Sequence, residues 1–225
     1  KLATSLIIRQ NARLWRRKAT TFYAQFIKVG DLCFDIGANI GSRTEIFQKL
    51  GARVVSVEPQ PQCTKMLRRR CRWGKKVEIV ASAVGDHEGH IKMAVNSKFN
   101  PSSSCSQDWI EMVKASGRFG NFIWDKTIEV PITTIDKLIE RYGVPSFCKI
   151  DIEGFEWEAI KGLSQSVKAL SLEFTPEYLG SIISSVGKLE KLGVTKFNYS
   201  VGESMQLELK NWVTGQEVCS ILGDL

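Results

Sequence analysis

The chain has 225 residues, 43% apolar and 24% charged, with a formal net charge of +7. These figures exclude a disordered or low-complexity chain and leave room for one large domain with its own core. No apolar run reaches the length of a membrane span.

Residues 1–28 read as an N-terminal helical extension of one or two amphipathic helices, with Leu6, Leu14, Trp15, Phe22 and Phe26 as core contacts. Residues 29–225 read as an alternating α/β domain. Asp31 to Ile36 is a short apolar run and predicts a strand. Ser42-Arg43-Thr44-Glu45 fits a capping box, Ile46, Phe47 and Leu50 give the helix an apolar face, and Gly51 predicts its stop. Val54 to Val57 predicts the second strand, which ends in Glu58. Pro61 opens a helix that stops near Gly74, with Cys63, Met66 and Leu67 as its buried stripe. Val77 to Val84 predicts the third strand, Gly85 to Gly89 a turn, and Ile91 to Val95 a hairpin partner.

Residues 96–126 break the alternation. A long loop in a compact domain is usually functional, and this one carries Phe99, Trp109, Phe119, Phe122 and Trp124 without a regular period. It is expected to be an inserted acceptor-binding lid. Strand periodicity resumes at Ile128 to Ile135, followed by a helix to Tyr142. Phe147 to Glu153 is a strand, Gly154 precedes a helix with Trp157 and Ile160, and Val167 to Phe174 is another strand. Pro176 opens the clearest helix, with Leu179, Ile182, Ile183, Val186 and Leu189 at helical spacing and an end by Gly193. Thr195 to Val201 and Met205 to Val213 predict a final antiparallel pair joined by Gly202-Glu203-Ser204.

The chemistry concentrates at strand ends. Asp35-Ile36-Gly37-Ala38-Asn39-Ile40-Gly41 links the first strand to its helix, and Glu58 tips the second strand. Gly37 and Gly41 are expected to let the backbone approach a ligand, and an acid at the second strand tip is where such units hold ribose hydroxyls. The pyrophosphate fingerprint G-x-G-x-x-G is not matched, and an acid two residues before the first glycine opposes a phosphate. A ligand with ribose, no phosphate and positive charge fits better, and S-adenosylmethionine is such a ligand. Period-two alternation puts Lys149, Asp151 and Glu153 on one face of a central strand. Charges there are costly unless they lie at the strand's open carboxyl end, where open α/β sheets bind ligands. Glu173, at the next strand tip, converges on the same crevice. Asp151 or Glu153 is the expected base, and these acids would also suit a divalent cation. No third ligand is identifiable, so no metal is assigned. His87 and His90 flank a turn and read as surface residues.

Arg9, Arg13, Arg16, Arg17 and Lys18 form one basic cluster. Lys65, Arg68, Arg69, Arg70, Arg72, Lys75 and Lys76 form another. Both read as solvated helix faces, with nucleic acid the less favoured partner because no RNA-binding motif accompanies the charge. The six cysteines (33, 63, 71, 105, 148, 219) form no CxxC pair, which suits a reducing, cytoplasmic compartment. The opening residues lack an apolar signal segment and start on Lys1 without a Met, as expected of a piece of a longer protein.

Four segments together resemble the FkbM-type methyltransferases, a branch of the class I methyltransferase superfamily. They are Val29 to Gly41, Val57-Glu58-Pro59, Thr134 to Leu138 with Lys149-Ile150-Asp151-Ile152-Glu153-Gly154, and Leu172-Glu173-Phe174. The resemblance implies a Rossmann-like, seven-stranded, mostly parallel sheet with an antiparallel last strand and helices on both faces. It implies S-adenosylmethionine as cofactor and methyl transfer, most often to oxygen, on a small-molecule or glycan acceptor. Carried over, Asp35, Gly37, Ala38, Asn39 and Gly41 take the methionine end, Glu58 the ribose, and Ser82 and Ala83 the adenine edge. Asp151 serves both cofactor and catalysis, with Glu153 and Glu173 as the other catalytic candidates. The alternatives are an RNA methyltransferase using the basic clusters and a non-catalytic S-adenosylmethionine-binding adaptor. The absence of an Asn-Pro-Pro-Tyr segment speaks against methylation of nucleobase amino groups.

Overall fold

The computed structural model describes residues 2–71, 76–96, 103–117 and 123–224, with side chains from residue 12 onward. Leu6, Arg9, Arg72, Gly74, Lys75, Phe99, Phe119 and Phe122 therefore lie outside what can be placed. A five-stranded parallel sheet has the order β3-β2-β1-β7-β8. Its strands are β1 (Leu32–Ile36), β2 (Arg53–Val57), β3 (Val77–Val80), β7 (Phe147–Ile150) and β8 (Leu170–Leu172).

Both faces are covered, which is why these strands are mostly apolar. Cys33, Val54 and Phe147 face a layer built from α1 (Leu2–Tyr23) and α2 (Ser42–Lys49), through Ala19, Tyr23, Ile46 and Phe47. Phe34, Val55 and Cys148 face the opposite layer, made by α5 (Ile135–Tyr142), α6 (Glu156–Lys161) and α7 (Leu179–Lys191). The last turns of α1 are thus part of the sheet core, with Tyr23 ringed by Phe22, Phe47 and Phe147. The remaining helices are α3 (Pro61–Arg70), α4 (Gln107–Ser116) and α8 (Gly215–Gly223).

The seven-stranded expectation is corrected in two places. The run Val77 to Val84 is split: β3 stays in the main sheet, while β4 (Ala83–Gly85) joins a separate three-stranded sheet of order β4-β6-β5. There β6 (Lys126–Thr134) lies between its neighbours, parallel to β4 and antiparallel to β5 (Gly89–Val95). The Gly85–Gly89 turn is therefore no hairpin. The nonlocal strand β6 outcompetes local pairing, a choice that local periodicity cannot reveal. The final pair is reduced to one bridge, Phe197 with Val213, among the described residues. Asn198 takes over further pairing by accepting from Leu209 N–H and donating to the Leu209 carbonyl. After it comes α8, opened by a capping box of Thr214 and Glu217 that the sequence reading does not use.

Several local expectations also change. The capping box at residues 42–45 does not form. Gly41, in the left-handed region at φ 86, caps α2 without a side-chain bond. Glu45 instead accepts from Arg70 at 2.6 Å. Thr64 replaces Met66 in the buried stripe of α3, and Met66 is 49% exposed. Pro176 opens a 3-10 turn (Pro176–Tyr178) before α7, and Ile183 lies on the outer face. No described helix is long and apolar enough to cross a membrane, and all six cysteines are free thiols.

Candidate active site

Sheet order reverses between β1 and β7, and open α/β sheets form ligand crevices at such a point, outside the carboxyl ends of the strands. An open crevice lies there. It is lined by Gly37, Asn39, Glu58, Ser82, Ala83, Asp151 and Glu153 among others. Seven of the residues named from the sequence therefore meet in one cavity.

The turn after β1 explains part of the Asp-Ile-Gly-Ala-Asn pattern. Gly37 has φ 78, and a Cβ there would sit 1.7 Å from the Asp151 carbonyl oxygen. Gly41 likewise abuts Leu67. Gly37 thus makes room for the Asp151 turn and Gly41 for a helix, and Gly37 also borders the crevice. Asn39 takes φ 49, a region that asparagine tolerates better than most residues. Its N–H donates to Glu58 Oε2 at 2.9 Å, and Gln60 N–H donates to Oε1 at 2.8 Å. The Gln60 side chain also hydrogen-bonds this carboxylate. Burial raises the Glu58 carboxyl to about 7, although the two backbone N–H groups work against that rise.

Asp35, Ala38 and Gly41 do not line the cavity. Ala38 is buried against Leu67 and Cys71. Asp35 is fully buried beneath the crevice, on the α2 side of β1. Thr44 Oγ1 donates to its Oδ2 at 2.5 Å and also contacts Ser56 Oγ at 2.9 Å. Asp35 Oδ1 has no hydrogen-bond partner among the described residues. Burial pushes its carboxyl up, against the pull of Lys149.

At the other end stand the acids of the β7 and β8 tips. The strand ends at Ile150, and Glu153 sits in a turn at φ 55, so simple alternation does not carry it to the crevice. Asp151, Glu153 and Glu173 still converge, one carboxylate oxygen of each lying within 4.8 Å of the others. Glu173 thus joins the other two acids, as its place at the next strand tip predicts. No cation is assigned on that ground, because Lys149 Nζ already donates to Asp151 Oδ2 at 2.6 Å. Burial alone would raise Asp151, but the Lys149 ammonium and a hydrogen bond from Glu173 hold it down near 2. Partial burial and that same hydrogen bond raise Glu173. Glu153 rises to about 8 through burial, then through Asp151 and Glu156.

Glu156 was missed. It is 4% exposed, and its Oε1 accepts from Ile152 N–H at 2.9 Å, bracing the turn that carries the acids. Its signal was an acid in the first turn of a helix directly after a glycine. Ser103, Cys105, Met93 and Phe155 also line the crevice. His87 pairs with Asp86 at 2.7 Å, and neither His87 nor His90 lines the cavity.

The region 96–126 differs from a free lid. Trp109, Ile110 and Val113 form a buried face of α4, capped by Ser106 and stopped by Gly117 at φ 68. That i, i+1, i+4 spacing was readable but lay among loop-like residues. Of the basic residues, Arg16 and Arg70 both pair with Glu45. Arg13, Arg17, Lys18, Lys65, Arg68 and Arg69 are exposed.

A parallel sheet wrapped by helices, with acids on neighbouring strand tips around a crevice at the reversal point, defines an open α/β fold with a ligand-binding crevice. The model of the methyltransferase FkbM domain matches residues 35–200, and the chain belongs to that family. A comparison with curated proteins returned no match. Among solved structures, the chain is similar to a precorrin-6y C5,15-methyltransferase from Geobacter metallireducens GS-15. Identity is 15% and the TM-score 0.44, over 87% of this chain and 82% of that one. It is also similar to a putative rRNA-methylase from Clostridium thermocellum, at 13% identity and a TM-score of 0.34, over 83% and 69%.

Proposed function

We propose that the protein is an S-adenosylmethionine-dependent methyltransferase that methylates a hydroxyl of a small molecule or glycan. The observation that carries this reading is one crevice lined by Glu58, Asp151 and Glu153, with the Glu173 carboxylate beside the last two. The donor set fits the cofactor. Glu58 lines the crevice and would accept from a ribose hydroxyl, and Ser82 and Ala83 border the space for a base. When bound, S-adenosylmethionine supplies a methyl group on a sulfonium, which is already a good leaving group.

The chain's own residues then have limited work: to align a hydroxyl and to accept its proton. Glu153, raised to about 8, has an affinity suited to exchanging a proton near neutral pH. Charged Asp151, held by Lys149, would orient the hydroxyl and stabilise the positive character of the approaching group. The pairing of Arg16 and Arg70 with Glu45 supports reading those basic residues as braces of α2 rather than as an RNA surface.

Calorimetric titration with S-adenosylhomocysteine tests the cofactor half. Glu58→Ala would also strip acceptors from Asn39 and Gln60, so Glu58→Gln is the cleaner variant. It should weaken binding by about 1.5–3 kcal/mol. Equal affinities would remove Glu58 from the site. Incubation of the enzyme with an extract and S-adenosylmethionine, read for a product heavier by one methyl, tests the transfer.

A further inference from the structure

One element touches the tips of both acid-bearing strands. Glu153 has φ 55, a conformation that a glutamate holds only where its surroundings impose it. Ser104 Oγ donates to the Glu153 carbonyl at 2.5 Å. Gly154 follows at φ 88, and a Cβ there would lie 2.1 Å from Cγ of Trp109. The indole is thus pressed flat on the backbone of this turn. On its other side, Trp109 Nε1 donates to Thr175 Oγ1 at 3.1 Å, two residues beyond Glu173. Ser104 Oγ accepts from Ser106 N–H at 2.9 Å, and Ser106 Oγ accepts from Trp109 N–H at 3.2 Å. Residues 103–109 are therefore one clip, and Trp109 within it is 1% exposed.

We propose that Ser104 and Trp109 are positioning residues that set the spacing of the Glu153 and Glu173 carboxylates at the acceptor end of the crevice. The proposal rests on reading these acids as the acceptor-facing groups of a methyltransferase. Neither Ser104 nor Trp109 lines the main crevice, whereas Ser103 and Cys105 do. That is the alternation of an extended segment, with one face on the cavity and the other on the Glu153 turn. Like charges a few ångströms apart interact with an energy that falls inversely with distance. Fixing the two backbones therefore fixes how the pair shares its protons. The charged groups facing Glu153 are Asp151, Glu156 and Lys149, and those facing Glu173 are Asp151, Glu153 and Lys149.

The test uses the full chain with glutamate Cδ labelled by carbon-13. Its carboxyl titrations are followed by NMR and assigned through Glu→Gln variants. Ser104→Ala removes the bond to Glu153, Trp109→Phe removes the bond to Thr175 while keeping an aromatic ring, and Ser104→Thr keeps the hydroxyl. S-adenosylhomocysteine binding is measured on the same samples. Ser104→Ala and Trp109→Phe should move the Glu153 or Glu173 midpoint by about one pH unit toward the ordinary glutamate value. The Glu58 midpoint should stay in place, and cofactor-product affinity should change less than about threefold. Ser104→Thr should restore the wild-type midpoint. Ser104→Ala decides alone if Trp109→Phe does not fold. Folded variants with wild-type midpoints at both glutamates would overturn the positioning role. Shifted midpoints in a protein that binds no S-adenosylhomocysteine would count for the clip and against the methyltransferase reading.

Discussion

The two ends of the crevice hold the same kind of residue under opposite rules. Glu58 stands alone at the tip of β2, and both of its oxygens accept backbone N–H groups from short, rigid turns. Asp151, Glu153 and Glu173 stand together at the tips of β7 and β8, and they satisfy one another, Lys149 and a shared proton instead. The first arrangement preorganises an acceptor for hydroxyl donors. The second sets proton affinities through mutual repulsion and burial, so small displacements change its chemistry. Under the proposed function the backbone-held end would bind and the end of coupled side chains would react, a division that one strand edge can supply.

The comparison breaks most completely at the joint between the two ends. Gly37→Ala would drive a Cβ into the Asp151 carbonyl at 1.7 Å with φ 78. It should cost about 3 kcal/mol or more and remove the cooperative thermal transition or lower its midpoint sharply. A variant that melts like wild type would show that the two turns are not in contact.

Next in size is the clip that holds the reacting end. Trp109→Ala empties a site that is 1% exposed and should cost about 3–5 kcal/mol by denaturant unfolding. A loss under about 0.5 kcal/mol, as at an ordinary surface site, would restore the picture of a mobile lid.

Burial raises acids at both ends, and Asp151 is the exception. Glu58 and Glu156 are 3% and 4% exposed, and burial raises both from 4.5 to about 7. The native chain thus keeps protons that the unfolded chain has already released. The stability these groups add is fully present below about pH 4.5 and is lost as pH climbs through about 7, on the order of 3 kcal/mol per group. Asp151, held near 2, acts oppositely: its contribution is present above its ordinary value of 3.8 and fades as pH falls toward 2. Thermal midpoints should therefore fall as pH rises from about 4.5 to about 7, and Glu156→Gln should narrow the difference. A midpoint that rises over this interval would contradict the buried, proton-holding state of these acids.

The smallest effect is expected away from both ends. Charge reversal at Lys65 and Arg68, exposed on α3, should change stability by less than about 0.5 kcal/mol and leave S-adenosylhomocysteine affinity unchanged. Gel-shift titration of the wild type at near-physiological salt should show only weak, nonspecific nucleic-acid binding. Submicromolar affinity for a particular RNA would move the acceptor class to RNA.

Sequence by itself determined the α/β alternation, the crevice-forming turn, Glu58 as the second strand's acid and the convergence of Asp151, Glu153 and Glu173. Each is encoded locally, by an apolar run that ends in a polar residue at a strand tip. Tertiary structure alone decided that β6 would enter a second sheet between β4 and β5, because strand pairing is a contest among segments distant in the chain. It also decided the purpose of Gly37, whose missing Cβ makes room for a carbonyl more than 100 residues away. The bracing role of Glu156 and the burial of Trp109 became legible only in three dimensions, because an acid in a first helical turn or a tryptophan in a long loop has no partner in its own neighbourhood. What joins them to the site is packing between segments, and packing depends on shape and distance rather than on the order of residues.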